Sequence, residues 1–549
     1  MLRLVKTAVG PASIAVGSGG PAQVVEAYNA GDGALSLTVA SSAPWAVAAV
    51  GAARPCTTTN QVAVPCIPIS VALNTASLGA GMQTAILTVT GDANTVDAPQ
   101  TITVTVAMGG AVPSSIVAYV PPNGSVDVST PTNSNLNSHA TTLDGNNWLS
   151  MIVSGGGSFQ FVYPWYVHIA AQPANGPGSY TGSMTLSNST FAGDNKTIPV
   201  TMNVTTQPIA QAPAPLNVRL AQGAPPMSSP FVGIALTNLG LGTLTVTGVS
   251  TSIASCGNSW LTVFQNPAGA ALTFDPTGQP VGTCSATLTF ATNAANTLAP
   301  VPVTMQVVAK GQPLINYQGV TDNVTFAPGS AVSPGDIVVV KGEQFSFAST
   351  SNGVAITSQV PWPTSLGGVG VTVNGEAAPL YYTFYGQIAF EMPMDIPLGT
   401  ALVKVTNNGI ASNPASVLVV ARAPAIDVIT DYNNNGTVPS AAAPAHIGDT
   451  LILWSFGLGP TSPAAVTGQP PPYPPLASLI ATPTVAFSSG GGIVAPVDAA
   501  PGFAGLSPQY PTLYQVNVAI PQGCPTGTVN VRLGFPDGTF SNTVAITVQ

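Results

Sequence analysis

The chain has 549 residues, of which 10 are Lys or Arg and 19 are Asp or Glu, so only 5% are charged, at a net charge of -9. So few cations form no phosphate-neutralising patch, which argues against nucleic-acid binding. A hydrophobic content of 45% argues against disorder, and 53 prolines argue against long helices. No run of about 18 apolar residues occurs, so no transmembrane helix is expected, and the length suits about four or five domains.

The first ten residues are basic, but Lys6 and Gly10, with Pro11 beyond them, break the apolar run, so they are not read as a signal peptide. Within residues 1–9, Leu2, Leu4, Val5 and Val9 alternate weakly. This stretch is taken as a separate N-terminal strand. It is either the first strand of the domain that follows or an assembly strand that completes a neighbour's open sheet edge.

Strand signals then dominate. Thr101-Ile-Thr-Val-Thr-Val106 alternates strictly, with Ile102, Val104 and Val106 on one face. Three copies of one pattern follow each other. Trp45-Ala-Val, Trp148-Leu-Ser and Trp260-Leu-Thr each open a strand, at spacings of 103 and 112 residues. Glycine-marked turns come next: Gly81, then Gly178 with Gly182, then Gly278 with Gly282. Closing strands end at Val106, Val204 and Val307. The expectation is three homologous β-sandwiches, at 10–108, 111–206 and 208–309, each with a tryptophan plugged between its sheets and glycines permitting the corners. This pattern of Trp-led strands resembles BACON-type bacterial immunoglobulin-like domains.

A second pair occupies the remainder. Ser333-Pro-Gly-Asp336 and the apolar run to Val340 match His446-Ile-Gly-Asp449 and its run to Leu453. Gln387 matches Gln515 and Gly399 matches Gly527, both at a spacing of 128; Ser412-Asn413 matches Ser541-Asn542. These are read as two TIG-like modules, at 311–422 and 423–549. Val371-Thr-Val-Asn-Gly375, Gly457-Leu-Gly-Pro-Thr-Ser-Pro463, Thr467-Gly-Gln469 and Tyr514-Gln-Val-Asn-Val518 carry a further likeness. Through them 311–549 resembles the uncharacterised C-terminal domain of secreted proteins from Solibacter-type acidobacteria. The resemblance implies location and architecture and no activity. The expected fold class is all-β, a tandem array of five immunoglobulin-like β-sandwiches.

Candidate chemistry is sparse. Cys56 with Cys66 and Cys256 with Cys284 are expected to form two local disulfides, which points to an oxidising compartment. Cys524 is left over, either buried and inert or an intermolecular link. His139, His168 and His446 fall in no catalytic or zinc motif, and no catalytic residue or cofactor is expected. Asp431-x-Asn433-x-Asn435-Gly436 mimics the start of a calcium loop, but Ala442 cannot supply the twelfth-position carboxylate, so a turn is the alternative. Phe159, Phe161, Tyr163 and Trp165 lie at period two and either stack on a ligand or partner or form a core face. Tyr381, Tyr382, Phe384 and Tyr385 make a second aromatic group.

The expected function is that of a non-enzymatic, secreted structural protein of the cell surface, a self-associating subunit of a filament, stalk or layer. The alternative is an adhesin or carbohydrate-binding protein. Expected partners are further copies or other surface proteins, with glycans under the alternative.

Overall fold

The computed structural model describes the whole chain apart from residues 15, 18, 57–64, 93–94, 96–97, 110–111, 131–135, 154–164, 190–191, 227–232, 258, 349–353 and 491–495. The fold is all-β: a tandem array of immunoglobulin-like sandwiches, with one short 3-10 turn among the described residues, at Ala192–Asp194. The chain divides into two compact units, Met1–Gln222 with Pro226–Val308, and Gly223–Pro225 with Ala309–Gln549.

The first unit repeats one strand order three times. In each repeat an early strand lies parallel to the closing strand: Ala8–Ile14 on Gln100–Met108, Ile116–Val120 on Thr197–Val204, and Leu216–Ala221 on Val301–Val308. The penultimate strand follows, then a middle strand at the far edge. Alternation explains why these segments form strands with one wet face. Ile102, Val104 and Val106 are buried while Thr101 and Thr103 are exposed.

Trp45, Trp148 and Trp260 are all buried, each directly before its strand. Their carbonyls accept equivalent bonds, from Asn74 at 2.7 Å, Ala170 at 2.9 Å and Asp275 at 2.8 Å. The glycine pairing differs from the sequence expectation. Gly81, Gly178 and Gly282 are the equivalent set, each opening a strand opposite the end of the closing one, at Met108, Val204 and Val307. Gly182 has another cause. A Cβ there would stand 3.2 Å from the Trp148 ring and 2.7 Å from the Thr141 carbonyl, so the indole occupies the space.

Of the two readings of the N-terminal segment, the structure shows strands of the sandwich that follows and not an assembly strand. Leu2–Leu4 pairs antiparallel with residues 27–29 of its own sandwich, and Ala8–Ile14 crosses to the facing sheet. Leu2 and Val9 are buried in that sandwich's core, while Leu4 packs against it and Val5 donates its amide to Glu26 at 2.8 Å. Burying these apolar side chains at home leaves the segment nothing to donate.

In the second unit, two sandwiches repeat a different order. The sheet Leu314–Asp322, Ile337–Glu343, Gln387–Glu391, Leu380–Thr383 corresponds to Ala425–Asp431, Thr450–Phe456, Tyr514–Ala519, Phe503–Leu506. The repeated Ser-Asn has a physical reason. Asn413 accepts from the Ile315 amide at 2.8 Å and donates to the Ile315 carbonyl at 2.9 Å. Asn542 does the same with Ile426, at 2.7 and 2.9 Å. Each asparagine thus acts as one residue of β-ladder, tying the first strand of its sandwich to the end of the chain segment.

Candidate functional site

The sequence candidates fall in several places. Cys56–Cys66 and Cys256–Cys284 are disulfides, and Cys524 is a buried free thiol whose pKa burial raises. Asp431 is buried, and its Oδ1 accepts from the Asn433 amide at 2.9 Å. Asn433 Oδ1 accepts from the Thr450 amide at 2.8 Å, and Asn435 adopts φ +53. These oxygens close a turn rather than face a cation. No metal-holding group of three His, Cys, Asp or Glu occurs among the described residues. Phe159, Phe161 and Tyr163 lie outside the described residues; Trp165 is half-buried against the second core.

The three Trp-led strands share a second property. Ala46–Val50, Leu149–Val153 and Leu261–Asn266 each lie at a sheet edge and pair with one strand of their own sheet among the described residues. None carries a charged residue. Each exposes apolar side chains: Val47 at 48%, Ile152 at 37% and Phe264 at 58%. Charge is the usual guard of such an edge.

Sequence reasoning missed the most unusual chemistry, a buried polar seam between the fourth and fifth modules. The run Ile337-Val-Val-Val340 is buried on both faces. Val338 and Val340 face the fourth module's core, whereas Ile337, Val339 and Ala389 form a separate cluster covered by Trp362 and Tyr382 of the same module and by Phe456 of the fifth. The fifth module's loop 466–469 docks beside them. The Trp362 amide donates to the Gly468 carbonyl at 2.9 Å, and the Met394 amide to Thr467 Oγ1 at 3.0 Å. The Gly468 amide donates to Glu391 Oε2 at 2.6 Å.

Glu391 Oε1 and both Asp336 oxygens are buried without a hydrogen-bond partner. Gly457, at φ +68, runs past Asp336; a Cβ there would meet the carboxyl and the Ala423 carbonyl. Burial drives the Asp336 pKa well above the carboxylate range, and Asp322 adds to the rise. The Ser333 and Ile337 amides offset part of it without reaching hydrogen-bonding geometry. Burial pushes Glu391 up to about 7 against the Gly468 hydrogen bond. Tyr514, whose hydroxyl donates to the Gly459 carbonyl at 2.7 Å, is raised by burial and then by Asp336 and Glu391. The equivalent Asp449 stands partly exposed and accepts from the His446 amide at 2.7 Å. The same turn therefore caps itself in one module and is buried in the other.

A pH dependence of stability follows. Glu391 binds its proton more tightly folded, at about 7, than at its ordinary 4.5. Its contribution is complete below 4.5, declines as pH rises through about 7, and is flat beyond. The expected loss is on the order of 3 kcal/mol. Denaturant titrations of the C-terminal unit at stepped pH check it; stability that rises over this interval contradicts it.

Beside the seam, Trp362 stacks on Tyr381 at 5.1 Å between centroids, and the rings continue through Tyr382 at 5.8 Å and Phe384 at 6.3 Å. Tyr385 is buried and turns away, edge-on to Phe347 at 5.7 Å. The Tyr382 hydroxyl accepts from Gln387 Nε2. Trp362 and Tyr382 are engaged in the seam, so this group is chiefly a cover for the sheet.

No protein-family model and no curated protein matches the sequence. Among solved structures, the Drosophila N-cadherin EC1-4 structure is 11% identical, over 75% of this chain and 99% of that one, with a TM-score of 0.19. The human desmocollin-1 ectodomain is 10% identical, over 98% of each chain, at 0.16. An endo-fucoidan hydrolase of glycoside hydrolase family 107 is 14% identical over 55% of this chain, at 0.15, and only 43% of that enzyme is covered. At these scores the likenesses carry no argument about activity, ligand or partner. No helix among the described residues is long and apolar enough to cross a membrane.

Proposed function

We propose that this chain is a non-enzymatic structural protein of the cell exterior, a subunit that associates with further copies of itself through sheet edges. The observation that carries this is the threefold recurrence of an uncharged, partly apolar edge strand, at Ala46–Val50, Leu149–Val153 and Leu261–Asn266. A strand added to such an edge pairs its outward backbone groups and lies beside its exposed apolar side chain, Val47, Ile152 or Phe264. Repetition of the edge along one chain suits a partner that is itself repetitive, as a second copy is. The two disulfides support an extracellular location, because such bonds persist in oxidising compartments. The likeness of 311–549 to a domain of secreted bacterial proteins supports it too.

Light scattering at rising concentration tests association. The full-length protein is expected to exceed its monomer mass of 54.9 kDa. Val47→Lys, Ile152→Lys and Phe264→Lys together are expected to return it to the monomer, because a charge on each of the three edges opposes strand addition. A wild-type protein that stays a compact monomer throughout would sink self-association, and the adhesin or glycan-binding reading would take its place.

A further inference from the structure

We propose that the seam between the fourth and fifth modules is a pH-sensitive joint, docked while Asp336 and Glu391 carry protons and loosened when they ionise. Neither carboxyl meets a cation within the seam. Glu391 makes one hydrogen bond, from Gly468, and its other oxygen is buried with no partner; neither Asp336 oxygen is hydrogen-bonded, and only the nearby Ser333 and Ile337 amides offset its burial. An ionised carboxylate in such a place is strongly disfavoured unless it is paired or reaches water. Parting the modules is the movement that gives it water, because the cover over both groups comes from the fifth module: Gly457 beside Asp336, and the 466–469 loop over Glu391.

The surrounding groups reinforce that direction. Asp322, on the strand Leu314–Asp322, acts on Asp336 as a like charge; its Oδ1 accepts from the Val324 and Thr325 amides at 2.9 and 2.7 Å, and its Oδ2 from the Thr325 hydroxyl at 2.5 Å. Tyr514, on Tyr514–Ala519, is turned to the Gly459 carbonyl. Tyr382, on Leu380–Thr383, is bound to Gln387. On Ile337–Glu343, the Lys341 ammonium lies 4.6 Å over the Phe326 ring, and Glu343 is a further acid. Arg422, in the linker, is bound to Asp537 at 2.9 Å and lies over Phe535. The docking segments 457–459 and 466–469 carry no titratable side chain. The fifth module's Asp449, capped and partly exposed, lacks this constraint and is a built-in contrast.

The test is hydrogen–deuterium exchange of the full-length protein, corrected for the chemical exchange rate, between about pH 5 and about pH 8.5. Peptides covering Trp362, Met394 and Gly468 are expected to lose protection at least about tenfold, while peptides from the cores of both modules do not. Glu391→Gln with Asp336→Asn removes both ionisations and is expected to flatten the curve. The infrared carbonyl band of protonated carboxyls should fade on the same pH curve as the protection, a readout that needs no variant. Unchanged protection in the wild type overturns the proposal. So does a loss that persists in the folded double variant, or one that does not track the infrared band.

Discussion

Replacing Trp260 by Ala is expected to destabilise the third module by about 3–5 kcal/mol, the range for removing a large aromatic from a core. The indole is fully buried, 6.0 Å from the Phe274 ring, and its Nε1 donates to the Ser255 carbonyl at 3.0 Å. Truncation opens a cavity between the sheets and strands that carbonyl. Trp260→Phe fills part of the cavity but still strands the carbonyl, so an intermediate loss is expected. Trp148→Ala should match Trp260→Ala in the second module, since that indole is equally buried and bonded to Asp144 at 3.0 Å. Several modules share the chain, so one global transition is the wrong readout. Exchange protection of the closing strands, Thr197–Val204 against Val301–Val308, isolates each effect. Loss in the unmutated neighbour equal to that in the mutated module would show that the sandwiches do not hold separate cores.

The same residues explain how much was legible beforehand. Strict alternation in 101–106 and the recurrent tryptophans expose sandwich and repeat, because one buried face imposes period two and a between-sheet plug imposes a large aromatic at a fixed place. The glycine pairing slipped because Gly178 and Gly182 look alike in sequence and serve different ends, one opening a strand and the other making room for Trp148. The sequence carries a second repeat as well. Asn29 and Asn238 each donate to a glycine carbonyl four residues on, Gly33 at 2.8 Å and Gly242 at 2.9 Å, within a shared N-x-G-x-G turn. The polar seam had only one signal, Ile337 where its repeat has Thr450, which makes the run Ile337–Val340 apolar throughout. Asp336 itself reads like Asp449. What buries it comes from a segment more than a hundred residues away, and local pattern carries no trace of that.

Removing the Cys256–Cys284 disulfide is the second large expected effect, about 3–4 kcal/mol in the third module. The bond closes a 28-residue separation, and freeing a loop of that size restores chain entropy to the unfolded state. Cys284 also sits fully buried on the strand Gly282–Thr292, between two neighbouring strands, so Cys284→Ala loses packing as well. Cys56–Cys66 spans only 10 residues and ties the outlying pair Arg54–Pro55 to its sheet. Its loss is expected to cost less, nearer 2–3 kcal/mol. Double alanine variants of each pair, compared by module-resolved exchange with and without reductant, order the two. Reduction of the wild type should cost less than the sum, since the buried sulfurs stay in place, and its effect should be confined to the first and third modules, while the second and the two C-terminal modules hold. Equal costs for the two bonds would show that strain or residual unfolded structure, and not loop length, sets their contribution.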